Sequence, residues 1–535
     1  MKYILILLFT LFFNIQANTQ LWNEIKKVVA SDRDEGDIFG FSVSISNTFT
    51  IIGASREDED ASGENTMEDS GSAYIFEEVE TSNWFQIQKL VSSDRAIDDR
   101  FGVSVSISGN YAIVGAELED EDSSGENTMY DSGSAYIFER NENGIWIQVQ
   151  KIVASDRYYH NHFGCSVAIN GNYLIVGAQL ASGLSNYFIA GSAYLFERNE
   201  SGIWIEKQKI ISSDLAEGDY FGCSVSINGN NAIVGSIYES EDASGYNTEY
   251  DAGSAYLFER DSVGNWNQIQ KLVASDRDEG DSFGGSTSIN GNFAIVSAWG
   301  EDEDASGGNF IENAGSAYLF EKGENDKWNQ VQKIVASDRA KRDIFSTSVS
   351  INGFYSIVGA FWEDEDSTGG NTLASSGSAY LFKKDSVGNW NQIRKIVAPD
   401  RDEADLFGSA VSIDENSFVV GAYREDDDSF GGNTFESSGS VYISRKNTTS
   451  IIENNFLSLL KVYPNPTSGI INIELGKTYY HVDIIVRNLL GQIILTESFN
   501  VTNLVNFKIK GKTGFYFVEL RTKDCNSAML KILKN

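Results

Sequence analysis

The chain has 535 residues, of which 41% are hydrophobic, and a formal net charge of −36. Such an acidic surface repels nucleic acid and anionic lipid and attracts cations, so we exclude nucleic-acid binding. Beyond the first residues, no apolar run is long enough to span a bilayer, and we expect no transmembrane segment in the mature chain.

The first residues have the pattern of a secretory signal. Lys2 precedes an apolar run over residues 3–13, and Ala17 offers a small residue at a plausible cleavage point. We therefore predict a signal peptide over residues 1–17 and a secreted protein. The alternative, a membrane anchor, would require a longer apolar run than this one.

Residues 21–446 consist of seven copies of one unit. Each copy contains Phe-Gly, or Phe345-Ser346 in the sixth copy, followed by a short alternating run as in Phe39–Ile45. The copies are 62 residues apart except for one interval of 58. The repeated phenylalanines are Phe39, Phe101, Phe163, Phe221, Phe283, Phe345 and Phe407. A nearly fixed period of this kind is typical of a repeat architecture, in which each unit packs on its neighbours.

Each copy contains four short runs with β-strand character. In the second copy the runs begin at Phe101, Tyr111, Gly133 and Trp146, and turns rich in Gly and Asn separate the first two and the last two. Four antiparallel strands per copy, repeated seven times without a helical stretch, predict an all-β fold with a seven-bladed β-propeller of four-stranded blades. Small residues in the first run suit the crowded axis, and the Trp of the fourth run suits the outer rim.

The two ends of the repeat region complement each other. The run that begins at Trp22 looks like a fourth strand with no blade before it, whereas the last copy, which ends in residues 439–444, lacks a fourth strand. We expect the N-terminal strand to complete the seventh blade and close the ring. The third copy departs most from the others, because it is shorter and has Gln179–Gly183 where the others are acidic.

The succession of Phe-Gly, Val-Gly-Ala and Gly-Ser-Ala-Tyr-Ile-Phe resembles the FG-GAP repeat of integrin α-subunit propellers and their bacterial relatives. The resemblance covers residues 21–445 and implies a propeller used for extracellular binding and adhesion. Integrin repeats carry their calcium loop between the first two strands, where this chain has only a short turn. Integrin calcium ligands therefore cannot be carried over to this sequence.

Two segments, both acidic in most copies, are predicted to lie on one face. In a four-stranded antiparallel blade, the loop between strands two and three emerges on the same side as the link from strand four to the next blade. In the first copy these segments are residues 57–63 and 32–37. The residue two before each Phe is Asp, or Asn161 in the third copy, and we interpret it as an Asx turn. We interpret the Ser-Asp-Arg run of the links, as in residues 31–33, as a structural loop pairing rather than a substrate clamp.

The long loop of the first copy has the spacing of a calcium loop. Asp58, Asp60, Ser62, Gly63 and Asp69 occupy positions 1, 3, 5, 6 and 12 of the pattern, and Ca²⁺ takes six to eight oxygen ligands. The candidate metal ligands are Asp58, Asp60, Ser62, Asp69, Asp120, Asp122, Ser124, Asp131, Asp242, Asp251, Asp302, Asp304, Asp364 and Asp366. The alternative is a solvated acidic loop, because exposed carboxylates about 4 Å apart repel by only about 1 kcal/mol in water.

Four aromatic residues lie where the second strand enters the acidic loop: Tyr238, Trp299, Trp362 and Tyr423. Aromatic rings beside carboxylates can stack on sugar rings while the carboxylates bind hydroxyl groups, so we take these four as candidate ligand-binding residues. Packing between loops is the alternative. No catalytic constellation is recognisable, and the repeats contain only two histidines, His160 and His162, both near the start of the third copy.

The composition changes after the repeats. Residues 447–458 form a polar linker, and residues 459–535 alternate and turn as expected for a small C-terminal β-sandwich. Tyr463-Pro-Asn-Pro-Thr, Gly491-Gln, Gly514-Phe-Tyr and the closing Lys531-Ile are similar to the C-terminal sorting domain of the Bacteroidota type IX secretion system. The resemblance implies export through that machinery, often with removal of the domain and attachment at the cell surface. Without it, a β-sandwich binding module would be equally tenable.

Together these features predict a secreted or cell-surface binding and adhesion protein that is not an enzyme. Its ligand, an extracellular protein or a glycan, is expected on the acidic loop face. The rival class is a polysaccharide-degrading enzyme built on a propeller. Such an enzyme would need unique residues that break the repeat within one cleft.

Overall fold

The computed structural model describes residues 22–80, 83–181, 189–246, 248–429, 431–432, 434–446, 460–488, 493–522 and 527–535. The predicted signal peptide (1–17) and linker (447–458) lie outside these residues. The chain divides into two compact units, one of which is Trp22–Lys446, while the other contains the residues from Asn447 onward. Within the described part of the chain, no helix is long and apolar enough to cross a membrane.

Seven four-stranded sheets form the first unit, and we number them as blades one to seven. The strands are, in chain order, β1 (Lys26–Val28); in blade one β2 (Ser42–Ser46), β3 (Phe49–Ala54), β4 (Ser72–Glu80) and β5 (Asn83–Leu90); in blade two β6 (Ser104–Ser108), β7 (Tyr111–Ala116), β8 (Ser134–Arg140) and β9 (Trp146–Ile152); in blade three β10 (Phe163–Asn170), β11 (Tyr173–Ala178), β12 (Ser192–Arg198) and β13 (Trp204–Ile210). They continue in blade four with β14 (Phe221–Asn228), β15 (Asn231–Ser236), β16 (Ser254–Arg260) and β17 (Trp266–Leu272); in blade five with β18 (Phe283–Asn290), β19 (Phe293–Ala298), β20 (Ser316–Lys322) and β21 (Trp328–Ile334); in blade six with β22 (Val349–Asn352), β23 (Tyr355–Ala360), β24 (Ser378–Lys384) and β25 (Trp390–Ile396); and in blade seven with β26 (Val411–Ile413), β27 (Ser417–Ala422) and β28 (Ser440–Arg445).

The burial of each strand follows the predicted order from axis to rim. The second and third strands, such as β7 and β8, are almost wholly buried because neighbouring blades cover both of their faces, which explains their continuous apolar runs. The fourth strand begins with a buried Trp and then alternates with exposed residues, as in β9. The first strands of neighbouring blades contact one another from β2 and β6 through to β26 and β2, so they surround the axis.

The repeated Phe joins each blade to the one before it. The Phe101 N–H donates to the Ser70 carbonyl of blade one at 3.0 Å, and the Phe101 ring packs on Tyr136 of its own blade at 5.4 Å. The same backbone bond recurs at every junction, including the one at which the Phe39 N–H of blade one donates to the Ser438 carbonyl of blade seven. The seven blades are thereby joined in a cycle.

The N-terminal strand completes the seventh blade, as predicted. β1 pairs antiparallel with β28, with Lys27 opposite Tyr442, so the sheet order is β1-β28-β27-β26. Trp22 is 2% exposed and packs against Phe418 at a centroid distance of 5.1 Å. The beginning and the end of the repeat region therefore share one sheet.

The C-terminal unit is a five-stranded antiparallel sheet of β29 (Lys461–Tyr463), β30 (Ile470–Asn488), β31 (Ile493–Lys508), β32 (Gly514–Thr522) and β33 (Ser527–Lys534). The predicted β-structure of this C-terminal region is confirmed, and hydrogen bonds join its strands in one sheet in which β30 pairs with both β31 and β32. The register of β30 against β31 is interrupted between Glu474 and Tyr479, and Gly476 has a φ of 75° there. Residues on both sides of this irregularity, such as Ile473 and Ile484, belong to one buried core.

Candidate binding face

In every blade except the third, an arginine of the following link holds the long loop. Arg95 of the first Ser-Asp-Arg run donates from Nη2 to the Asp58 carbonyl at 2.6 Å and to Ser70 Oγ at 2.8 Å. Arg157 and Arg401 make the same pair of bonds to the loops of blades two and six. These contacts bring link and loop together on one face, as the strand order predicts, and the arginines act as structural clamps.

A buried lysine anchors the start of the loop. Lys151 of β9 is 5% exposed, and its Nζ lies 2.7 Å from Asp94 Oδ2 of the Ser-Asp-Arg run and 2.8 Å from Glu119 Oε1. Equivalent lysines hold an Asp and a Glu in five other blades: Lys27, Lys89, Lys271, Lys333 and Lys395. In blade three, Lys209 pairs with Asp156, and Ala181 occupies the place of the Glu.

Part of the acidic charge that the sequence assigned to the surface is therefore buried. The Glu57 carboxylate accepts the Ser72 hydroxyl hydrogen bond and lies next to Lys89. Burial raises the pKa of Glu57 to about 7, although Lys89 and Ser72 act in the opposite direction. This glutamate supports the loop and is not presented to a ligand.

The Asp two residues before each Phe, which is Asn161 in the third copy, is also buried. Asp99 is 4% exposed, and its Oδ2 accepts the Ala96 N–H at 2.7 Å, which closes a turn within the link. Burial raises the pKa of the Asp99 carboxyl to about 8. The residue shapes the link backbone, as the turn interpretation requires.

The predicted calcium ligands are engaged in bonds within their own loops. Asp60 Oδ1 accepts the Ser62 N–H at 2.8 Å and the Ser62 hydroxyl at 2.6 Å, and Asp58 Oδ1 accepts the Asp69 N–H at 2.8 Å. These hydrogen bonds lower the pKa of Asp60. Corresponding pairs are Asp120 with the Asp131 N–H, Asp122 with Ser124, Ser240 with the Asp251 N–H, Asp242 with Ser244, Asp302 with the Asn313 N–H, Asp304 with Ser306, Asp364 with the Ser375 N–H, and Asp366 with Thr368.

Of these candidate calcium ligands in the described residues, Asp131 alone belongs to a set of converging side chains. In the described residues, two sets of three His, Cys, Asp or Glu side chains have ligand atoms within 4.8 Å of one another. One set is Asp94, Glu119 and Glu121 beside Lys151, and the other is Asp131, His160 and His162. Positions 1, 3 and 12 of a single loop do not form such a set, although their all-oxygen chemistry suits Ca²⁺. Calcium binding stays a prediction.

The four candidate aromatic residues occupy two positions of the repeat. Trp299 and Tyr423 directly follow the second strands of blades five and seven, and Phe361 is their counterpart in blade six. Tyr238 and Trp362 lie one residue later, where Tyr238 contacts Tyr220 at 5.1 Å and Trp362 contacts Phe361 at 5.7 Å. The four residues were treated as equivalent in the sequence, and Phe361, which shares the position of Trp299 and Tyr423, was not among the candidates.

A cleft of about 500 Å³ opens at the junction of blades seven and one. Its aromatic wall consists of Tyr423 and Phe41, whose rings meet edge to face at 5.5 Å. The other lining residues are Glu35, Gly36, Ile38, Arg56, Arg424, Glu436 and Ser437. Arg56 and Arg424 both lie two residues after a second strand, which is the signal that would have identified this pair in the sequence.

Residues 280–284 spell Gly-Asp-Ser-Phe-Gly, which has the pattern of a hydrolase nucleophile elbow. Ser282 is 3% exposed, and its hydroxyl donates to the Gly280 carbonyl at 3.2 Å. The strand β18 follows it directly, whereas an elbow requires a strand followed by a helix. The segment is a link of the propeller and not a catalytic motif.

The lysine anchors yield a prediction about stability. Lys151→Met should lower the free energy of unfolding by about 3–5 kcal/mol at pH 7, because it leaves Glu119 and Asp94 without their cation. The loss should be smaller at pH 5, since burial raises the pKa of Glu119 and the carboxyl can take up a proton there.

Lys209→Met is the matched control, to be measured by urea denaturation beside the first variant. Lys209 is 23% exposed and its partner Asp156 is 50% exposed, so we expect a loss of about 1 kcal/mol or less. Equal losses in the two variants would contradict the anchoring role.

Family comparisons agree with this architecture. Residues 461–535 match the secretion system C-terminal sorting domain, so the protein is secreted or attached to the outer cell surface. Among curated proteins, no relative matches. Seven segments match the FG-GAP repeat: 22–76, 84–138, 146–196, 204–258, 266–320, 328–382 and 390–444. The first segment begins with Trp22, and each of the other six begins with the Trp of a blade's fourth strand. These segments cover most of the sequence, and the chain belongs to the FG-GAP repeat family.

Proposed function

We propose that the protein is an extracellular binding and adhesion protein that holds a glycan in the cleft between blades seven and one. The observation that carries this proposal is the aromatic and cationic lining of the cleft on an otherwise acidic chain. A propeller offers a rigid scaffold, and binding residues are commonly placed on loops that such a scaffold positions.

The lining residues suit a sugar that carries a carboxylate. Arg56 and Arg424 present planar guanidinium groups, which pair well with carboxylates. Tyr423 and Phe41 provide apolar ring surface, and Glu35 and Glu436 can accept hydrogen bonds from sugar hydroxyl groups. At physiological salt, screening shortens the range of electrostatic repulsion to about 8 Å, so carboxylates farther than this from the cleft repel an anionic glycan only weakly.

A glycan-degrading enzyme is the second candidate, and the observation in its favour is that two glutamates line the same cleft. Glycosidases use a pair of carboxyl groups, one of which is kept protonated by an apolar environment. Glu35 and Glu436 are both exposed. We therefore propose binding without cleavage, and release of reducing ends from a bound glycan would favour the enzyme.

The cleft is tested by glycan-array binding and by titration of the best glycan. The double variant Arg56→Ala/Tyr423→Ala should bind at least tenfold more weakly, because it removes one cation and the aromatic wall. Tyr246→Ala is the control, since Tyr246 is 87% exposed in the loop of blade four and lies outside the cleft. Equal affinity of all three proteins would contradict the proposal, and binding to a protein ligand alone would reassign the ligand class.

We also propose that the loops of blades one and two bind Ca²⁺. In both loops a hydrogen bond already connects positions 1 and 12 of the calcium pattern: Asp58 accepts the Asp69 N–H, and Asp120 accepts the Asp131 N–H. The remaining ligands, such as Asp60 and its equivalents, supply only oxygen, which Ca²⁺ prefers. Loops five and six have Asn313 and Ser375 at position 12 and therefore lack one carboxylate.

Calcium should raise the melting temperature relative to EDTA, because a ligand of the native state stabilises it by mass action. The double variant Asp58→Asn/Asp120→Asn should abolish most of the shift, whereas Asp364→Asn in loop six should leave it unchanged. Identical melting of the wild-type protein in EDTA and in millimolar calcium would overturn this assignment.

A further inference from the structure

The junction of blades two and three carries a side-chain cluster that breaks the repeat. Asp131 ends the long loop of blade two, and His160 and His162 lie in the link to blade three. His160 Nδ1 lies 2.9 Å from Asp131 Oδ2, and the ligand atoms of all three residues lie within 4.8 Å of one another. Glu117 adds a fourth group, since its Oε2 is 3.7 Å from His162 Nδ1.

The backbone fixes this arrangement. The His160 N–H donates to the Tyr130 carbonyl at 2.9 Å, and the His162 N–H donates to the Asp131 carbonyl at 3.2 Å, so the link is paired to the end of the loop. The backbone of both histidines adopts the left-handed conformation, with φ values of 59° and 55°. The preceding junction has the same pairing and the same left-handed backbone, but it carries Asp98 and Arg100 in place of the histidines.

We propose that Asp131, His160 and His162 form a Zn²⁺ site, with Glu117 as the fourth ligand. Imidazole nitrogen suits zinc and its transition-metal neighbours, whereas calcium and magnesium take oxygen ligands. Zinc binds His nitrogen and carboxylate oxygen at about 2.0–2.2 Å in a four-coordinate arrangement. The donor set at this junction therefore selects a different class of metal from the acidic loops.

The position of the cluster allows a metal ion to enter from solvent. The His160 side chain is 59% exposed, while those of Asp131 and His162 are each 19% exposed. The acidic chain attracts cations to its surface. A bound ion would connect the long loop of blade two to the link of blade three. It would also engage Asp131, so zinc at this junction and calcium in the loop of blade two would compete for one carboxylate.

Isothermal titration calorimetry of ZnCl₂ into the full-length, untagged protein tests the site, with millimolar Ca²⁺ present to fill oxygen-only sites. We expect one zinc ion per chain. His162→Gln and Asp131→Asn should each weaken binding at least tenfold, and the double variant His160→Gln/His162→Gln should abolish it. Asp69→Asn, at the same loop position of blade one, and His481→Gln in the tail should leave the affinity unchanged.

Zinc X-ray absorption spectroscopy identifies the ligands directly. The expected spectrum has a nitrogen and oxygen shell near 2.0–2.1 Å with imidazole scattering and no sulfur at about 2.3 Å. Circular dichroism of each variant checks that the fold is retained. Zinc binding that survives in the double histidine variant, a sulfur shell, or no binding to the folded wild-type protein would overturn the proposal.

Discussion

The close approach of neighbouring blades at glycine is the constraint on which this structure depends. A Cβ on Gly71 would lie 2.1 Å from the Phe101 carbonyl oxygen, and one on Gly53 would lie 2.0 Å from the Gly102 carbonyl oxygen. Both oxygens belong to the next blade, so no side chain can be accommodated at either glycine. The absence of a Cβ allows the backbones to come close enough for the Phe101 N–H to bond to Ser70. The glycine of the Gly-Ser motif is present in all seven blades, whereas the other two glycines are replaced together, by Ser297 and Ser346, at the junction of blades five and six. The Phe-Gly, Gly-Ala and Gly-Ser motifs thus have a common physical origin in blade packing.

The loop face follows from this spacing. Once the blades are in contact, each link reaches back to the loop before it, Arg95 clamps that loop, and Lys89 neutralises the carboxylates beneath it. Much of the repeated acidity is therefore scaffold, and the binding groups are expected where the repeat is broken. The cleft with Arg56 and the cluster with His160 are two such places, on separate junctions of the ring.

The fold could be predicted from the sequence because its signals are local and repeated. Alternation and turns define the strands, the period defines the blades, and the unpaired run at Trp22 defines the closure. The sites could not be predicted in the same way. Arg56 and Arg424 line one cleft only because the ring closes. The burial of Glu57 depends on a lysine from another strand. The continuous C-terminal sheet depends on an irregularity within β30 that alternation alone does not reveal.

The glycine constraint is tested most directly by urea denaturation of Gly115→Ala beside Gly432→Ala. A Cβ on Gly115 would lie 2.0 Å from the Gly164 carbonyl oxygen of the next blade, whereas one on Gly432 would meet no atom within 4 Å. We expect the first substitution to lower the free energy of unfolding by about 3 kcal/mol or more and the second to change it by about 0.5 kcal/mol or less. Similar small effects of both substitutions would contradict the claim that backbone contact at glycine holds the blades together.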